Sequence, residues 1–168
     1  MEYSVSNAGR VSVVTSLTDD ELRQIFAMER ELFPEFLQDD TYDKELKGKV
    51  AVVAYCSEGR VAGYIFSVPH HEAQAELRHI DPRMPTEPDA LYIESIAIRS
   101  DLQSRGYFSK LIKKLLERSN GRPITMHARV CNNCSVGMQK YGAIHVHSVE
   151  DWFGSGERFD YLVIRTAK

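Results

Sequence analysis

Apolar positions recur along this chain with two periods, and the alternation between them predicts its elements. "RVSVVTSL" alternates weakly and reads as an opening strand. In "TDDELRQIFAMERELF", Leu22, Ile25, Phe26, Met28 and Leu32 fall mostly on one helical face. Thr18 or Asp19 supplies the N-cap, acids in the first turn complement the helix dipole, and Pro34 interrupts the pattern. "TYDKELKG" predicts a short second helix ending at Gly48. "KVAVVAYCSEGRVAGYIFSV" reads as two strands turning around Ser57–Arg60. The segment Arg78–Ala90, "RHIDPRMPTEPDA", holds three of the six prolines and predicts a surface connection.

The second half repeats the alternation. "LYIESIAI" is a strand, followed by a helix from about Gly106 to Ser119, and "RPITMHARV" is a further strand. "NNCSVGMQKYG" predicts a short helix ending near Gly142, and "AIHVHSVEDWF" with "RFDYLVIRT" a closing hairpin that turns at "GSG". The order β-α-α-β-β-β-α-β-α-β-β predicts an α/β fold. It would be a single domain over 1–168, with one mixed sheet covered by helices.

Composition narrows the class. A chain of 168 residues buries a core without staples, and its net charge of −3 gives no bulk attraction to nucleic acid or to an anionic membrane. No apolar run reaches membrane-spanning length, and Met1–Ser16 lacks a signal-peptide pattern. Three cysteines, an odd number, argue against a disulfide framework and for a reducing cytoplasm. Cys131–Cys134 is a lone C-x-x-C without a second pair, so no metal site is expected. His70, His71, His79, His145 and His147 read as surface or edge residues, the last two sharing one strand face.

Chemistry concentrates at "QSRGYF", where a strand passes into a helix. The first N–H groups of a helix lack intrahelical partners and carry partial positive charge, which suits a phosphate or pyrophosphate. Gly106 lets backbone approach such an anion, and Arg105 and Lys110 add charge, with Lys113, Lys114 and Arg118 continuing a basic face. A solvated lysine face with a glycine that merely permits the turn is the alternative. Neither a P-loop nor a dinucleotide glycine pattern is present.

The strand, turn and helix together resemble the GNAT superfamily of N-acetyltransferases, whose signature [QR]-x-x-G-x-[GA] heads a helix. Here it reads Gln103-Ser104-Arg105-Gly106-Tyr107-Phe108, followed by Ser109, with Phe108 where a small residue is usual. A later N-x-x-[AS] segment matches at Asn132 and Ser135 with the family's spacing to Gly142. The resemblance implies acetyl-CoA as co-substrate, its pyrophosphate at the Gly106 turn and its arm along Asn132 and Ser135. It also implies that "IESIAI" and "TMHARV" splay apart, so that backbone around Ile96, Ala97 and Ile98 bonds the pantetheine and the thioester oxygen.

Tyr92, Glu94, Ile96 and Ile98 share a strand face by alternation, and His127 lies on the next strand. Tyr92 with His127 is similar to a pair that relays the amine's proton in some N-terminal acetyltransferases, while Glu94 occupies a position where other branches carry a carboxylate base. An unperturbed imidazole suits a base near neutrality, which favours a peptide α-amine at about 8 over a lysine at about 10.4. Each also has a plain structural reading: a core tyrosine, a locally bonded histidine, a solvated glutamate. Gln139 stands where many relatives carry a tyrosine acid.

The acceptor is expected to be a cationic primary amine, drawn by Glu29, Glu31, Glu35, Asp39, Asp40, Asp43 and Glu45 and walled by Tyr42, Trp152 and Phe153. A solvated helix surface explains the same acids. Turnover is the leading expectation, and an acyl-CoA-binding domain with weak catalysis is the alternative, with a homodimer possible for either.

Overall fold

The structure is a computed structural model describing residues 9–38, 46 and 48–166. The helix expected over 41–48 therefore lies largely outside the described residues. Seven strands form one sheet: β1 (Val11–Val14), β2 (Val50–Tyr55), β3 (Val61–Pro69), β4 (Leu91–Ile98), β5 (Ile124–Arg129), β6 (Ala143–Val149) and β7 (Phe159–Ile164). Their spatial order is β1-β2-β3-β4-β5-β7-β6. The β1–β2, β5–β7 and β6–β7 ladders are antiparallel, and β4 pairs parallel with β5 at Leu91↔Ile124 and Tyr92↔Thr125. The expected mixed α/β sheet is therefore present. Helices are α1 (Asp19–Leu32), α2 (His70–Leu77), α3 (Tyr107–Ser119) and α4 (Cys134–Gln139). Among the described residues no helix is long and apolar enough to cross a membrane.

The chain groups into two units, one of residues up to Phe66 with Ser95–Leu115, the other of Ser67–Glu94 with the residues from Leu116 onward. In the first, α1 opens with Thr18 rather than Asp19 as its cap. The Glu21 N–H donates to the Thr18 hydroxyl at 3.1 Å, and the Thr18 N–H to the Glu21 carboxylate at 3.2 Å. The other Glu21 oxygen accepts the Tyr55 hydroxyl at 2.6 Å, so one side chain ends a helix and ties it to β2. Leu22, Ile25 and Met28 face Ala51, Val53 and Tyr55 of β2 and Tyr64 and Phe66 of β3. Ile25 is fully enclosed, which stabilises this packing by roughly 2 kcal/mol. Gly63 marks a close approach of β3 to β4: a Cβ there would lie 2.6 Å from Ile98 Cδ1 and 2.7 Å from the Ala97 oxygen.

In the second unit Val68, Ala73, Met84, Tyr92, Tyr161 and Val163 form a small apolar cluster. Helix α2 was not foreseen. Its sequence, HHEAQAEL, buries only His70 and Ala73, too few positions to reveal a helical period. The foreseen loop begins only after α2 ends, and its chain is folded by backbone bonds from Ile80 and Asp81 to the Leu77 oxygen at 2.9 and 2.8 Å.

Candidate active site

Sheet register builds a row of polar rings in the second unit. Tyr92 pairs with Thr125, His127 pairs with Tyr161, and Tyr161 pairs with His147. Cross-strand partners project to one side, and residues two apart on a strand share that side. Tyr92, His127, Tyr161 and His147 therefore stand on one face of four adjacent strands. A register shift between His145 and His147 is what brings the last of them there. His145 pairs with Leu162 and His147 with the adjacent Tyr161, so the irregularity aims the two histidines to opposite faces. This corrects the shared strand face expected for them. His147 stacks on Tyr161, with centroids 5.2 Å apart.

The rings are joined by hydrogen bonds. Tyr92 Oη and His127 Nδ1 are 2.8 Å apart, and His127 Nε2 lies 2.8 Å from Asp81 Oδ2. His147 Nε2 reaches the same Asp81 oxygen at 2.6 Å. Asp81 comes from the turn after α2, and its second oxygen accepts the Arg83 backbone N–H at 3.1 Å. Asp81 and His147 were missed by sequence reasoning, because 46 and 66 residues separate Asp81 from its two ring partners. His70, expected at the surface, is buried, and its Nε2 lies 2.9 Å from the Tyr161 hydroxyl.

Burial governs the electrostatics. It pulls the His127 imidazole down to about 4, and the bond to Asp81 only partly opposes it, so the ring is neutral at pH 7. Trp152 contributes to that desolvation, its ring centroid 4.6 Å from that of His127. Burial works to raise the Asp81 carboxyl, but bonds from His127 and His147 hold it below its ordinary value, so it is ionised. Burial also pushes the Tyr92 phenol well above its usual range, and it keeps its proton.

An ionised carboxylate only accepts, which places the His127 proton on Nε2 and leaves Nδ1 bare. Nδ1 is then the acceptor and Tyr92 the donor. The array is thus a phenol, an imidazole and a carboxylate joined in series by hydrogen bonds.

Ligand atoms of Asp81, His127 and His147 lie within 4.8 Å of one another, residue types that also bind divalent cations. Zinc bonds of about 2.0 Å in a tetrahedron would hold such atoms about 3.3 Å apart. The separations of 2.6 and 2.8 Å are hydrogen-bond lengths, and protons already satisfy all three groups. The cluster fits proton sharing better than metal coordination.

The glycine turn lies in the first unit. After β4, a single 3₁₀ turn (Ser100–Leu102) leads to exposed Gln103, Ser104, Arg105 and Gly106, and α3 begins at Tyr107. Ser104 and Gly106 both take positive φ, +63° and +85°. A Cβ on Gly106 would meet nothing within 4 Å, so the glycine is required by backbone sign, and the side on which a ligand would lie is open. Gln103 ties the turn back to β4 by donating to the Ile98 oxygen at 3.3 Å. Tyr107, Phe108 and Ser109 are half-buried, and Lys110 lies over the Tyr107 ring, 5.6 Å from its centroid.

The remaining sequence candidates are dispersed. On β4, Ala97 is buried, Ile96 and Ile98 are half-buried, and Glu94 is exposed. Asn132 is exposed and accepts the Cys134 N–H at 3.1 Å in the turn that opens α4. Ser135 is buried and donates to Asp160 at 2.7 Å, so it offers a cofactor small size rather than a spare hydroxyl. Gln139 is exposed at the end of α4. Glu29 departs from the acidic entrance expected for it: it is 2 % exposed and accepts the Tyr64 hydroxyl at 2.6 Å. Trp152 is buried beside His127 rather than walling an entrance, while Phe153 is exposed. Tyr42, Asp39, Asp40, Asp43 and Glu45 lie outside the described residues.

A strand that runs into a glycine turn and helix, in a chain that also carries a buried proton acceptor, is equipment for group transfer. The chain belongs to the acetyltransferase (GNAT) family, whose profile matches residues 18–147, and it is an acetyltransferase. Solved structures share the fold. Arabidopsis thaliana NAA60 in complex with acetyl-CoA is 14% identical over 93% of this chain and 98% of its own, with a TM-score of 0.66. The ribosomal-protein-S18-alanine N-acetyltransferase of Escherichia coli is 12% identical over 95% and 96%, at 0.65. An aminoglycoside 6'-N-acetyltransferase complexed with coenzyme A is 11% identical over 95% and 98%, at 0.70. No curated protein matches the sequence.

Proposed function

We propose that the protein transfers an acetyl group from acetyl-CoA to a primary amine by direct attack within a ternary complex. The observation that carries this reading is the Tyr92 hydroxyl 2.8 Å from the His127 ring nitrogen Nδ1, in a network that continues to Asp81. Amide formation releases a proton from the attacking nitrogen, and this array accepts it. The ammonium first loses one proton to water, and the neutral amine attacks the thioester carbonyl to form the carbon–nitrogen bond. The nitrogen's second proton then passes to Tyr92 Oη while the phenol's own proton moves to His127 Nδ1, and the carbon–sulfur bond breaks to release the CoA thiolate. Exposed Gln139 cannot supply that thiolate with a proton, so it leaves as the anion and is protonated by water.

Burial of His127 changes the argument about substrates. Taking a proton from an α-ammonium near 8 onto a ring near 4 is uphill by about 5 kcal/mol. The relay is matched instead to the tetrahedral intermediate, whose nitrogen is far more acidic than a resting ammonium. A preference for peptide α-amines over lysine thus loses the support of an unperturbed histidine.

In this reading the turn from Gln103 to Ser109 holds the pyrophosphate, and backbone at Ile96, Ala97 and Ile98 holds the pantetheine and polarises the thioester. Asn132 and Ser135 line the CoA arm. Glu94, two residues beyond Tyr92 on the same face of β4, meets the incoming ammonium. A ribosomal-protein alanine and an aminoglycoside, the acceptors in the names of two fold neighbours, both present primary amines. Thiol release from acetyl-CoA, measured against peptides, polyamines, aminoglycosides and protein lysines, tests the proposal. Release that depends on one amine class supports it, whereas acetyl-CoA binding without release on the whole panel favours a binding domain.

A further inference from the structure

The Tyr92–His127 pair has two possible directions, and only one helps an amine. If His127 carried its proton on Nδ1, the ring would donate to the phenol oxygen and could not accept from it. With the proton on Nε2, Tyr92 donates inward, and its oxygen is the atom left to accept a proton from outside the pair.

Geometry at Asp81 decides between them. Its Oδ2 faces both ring Nε2 atoms, at 2.8 Å for His127 and 2.6 Å for His147, and its Oδ1 holds the Arg83 N–H at 3.1 Å. Side-chain exposure is 0% at His127, 1% at Asp81 and 11% at His147, so water does not replace these partners. We infer that Asp81 is a positioning residue that sets the direction of proton transfer, with His147 and the Arg83 amide holding the carboxylate in place. The inference rests on Tyr92 and His127 being the acid–base pair.

Asp81 touches neither reactant. It fixes the tautomer beforehand and stabilises the imidazolium that forms when Nδ1 takes up its proton. His147 supplies a second donor to the same oxygen, which prevents the carboxylate from rotating away from His127. Of the other titratable groups on this face, Tyr161 and His70 bond each other at 2.9 Å, and Glu94 is exposed.

The full chain labelled with ¹⁵N-histidine provides the test at pH 7. The His127 signals are expected to show a protonated, pyrrole-like Nε2 and a bare, pyridine-like Nδ1. Asp81→Asn is expected to mix or reverse that pattern, lower turnover by at least about 100-fold and leave acetyl-CoA affinity within about twofold. His147→Gln, which retains an N–H donor, should keep most of the turnover, and His147→Leu should lose about tenfold.

A protonated Nδ1 in the unaltered protein overturns the inference, even if the Asp81 variant fails to fold. Unchanged turnover in Asp81→Asn overturns it as well. An enzyme with the expected tautomer that acetylates no primary amine retires the acceptor assignment while upholding that of Asp81.

Discussion

The Gly106 turn and the Tyr92–His127–Asp81 array work by opposite means. The turn is exposed and local: a few consecutive residues with positive φ at Ser104 and Gly106 leave backbone donors open to solvent. The array is buried and long-range, its members drawn from β4, β5, β6 and the segment after α2. An anion needs accessible donors and tolerates water. A proton acceptor with a displaced pKa and a fixed tautomer needs water excluded. In the proposed reading one region binds the cofactor, and the other moves a proton.

That division can be broken by substitution. The largest effect is expected from His127→Ala, which should lower kcat by about 100- to 1,000-fold at unchanged acetyl-CoA affinity. Equal losses in both would show that the array is structural. Glu94→Gln should instead raise the acceptor KM more than it lowers kcat, since this carboxylate is exposed and sits beyond the relay.

Next in size is a stability effect confined to the buried array. His127 is held down to about 4 by burial, against about 6.5 in an unfolded chain, so the unfolded state binds more protons between those values. Stability should therefore fall as pH drops from about 6.5 to 4, by on the order of 3 kcal/mol from this ring. Buried His70, also lowered, acts in the same direction. Denaturant melts across this window should flatten in His127→Gln, and an unchanged slope would place the acid sensitivity elsewhere.

Smaller effects sharpen the contrast at the turn. Gly106→Val forces a β-branched residue into φ +85° and should weaken acetyl-CoA binding about tenfold, with little change in kcat at saturation. Calorimetric titration measures the first, and a larger loss in kcat than in affinity would contradict the division. Thr18→Ala removes the hydroxyl that caps α1, which belongs to neither region, and should cost about 1 kcal/mol in denaturant stability without altering kinetics.

The same contrast decides what could be read beforehand. The turn was legible because its signal is contiguous: Gln103 to Phe108 carry the motif, and Gly106 has the backbone sign that the motif requires. Tyr92 and His127 were legible as candidates through the family resemblance, although not as a buried pair bonded to each other. Asp81 was hidden in a proline-rich segment that resembled plain connection, and its value depends on a fold that carries it to two distant rings. His147 was misassigned because strict alternation has no term for a shift in register. Glu29 was read by its charge as solvated, whereas tertiary packing gave it the Tyr64 hydroxyl.

The most direct measurement pairs two readouts on Tyr92→Phe, a substitution that removes one oxygen and preserves the ring: acetyl-CoA affinity by calorimetry and the single-turnover rate of acetyl transfer to a saturating primary amine. The account predicts affinity within about twofold of the unaltered protein and a transfer rate reduced by at least about 100-fold. A rate that survives the loss of that hydroxyl would contradict it.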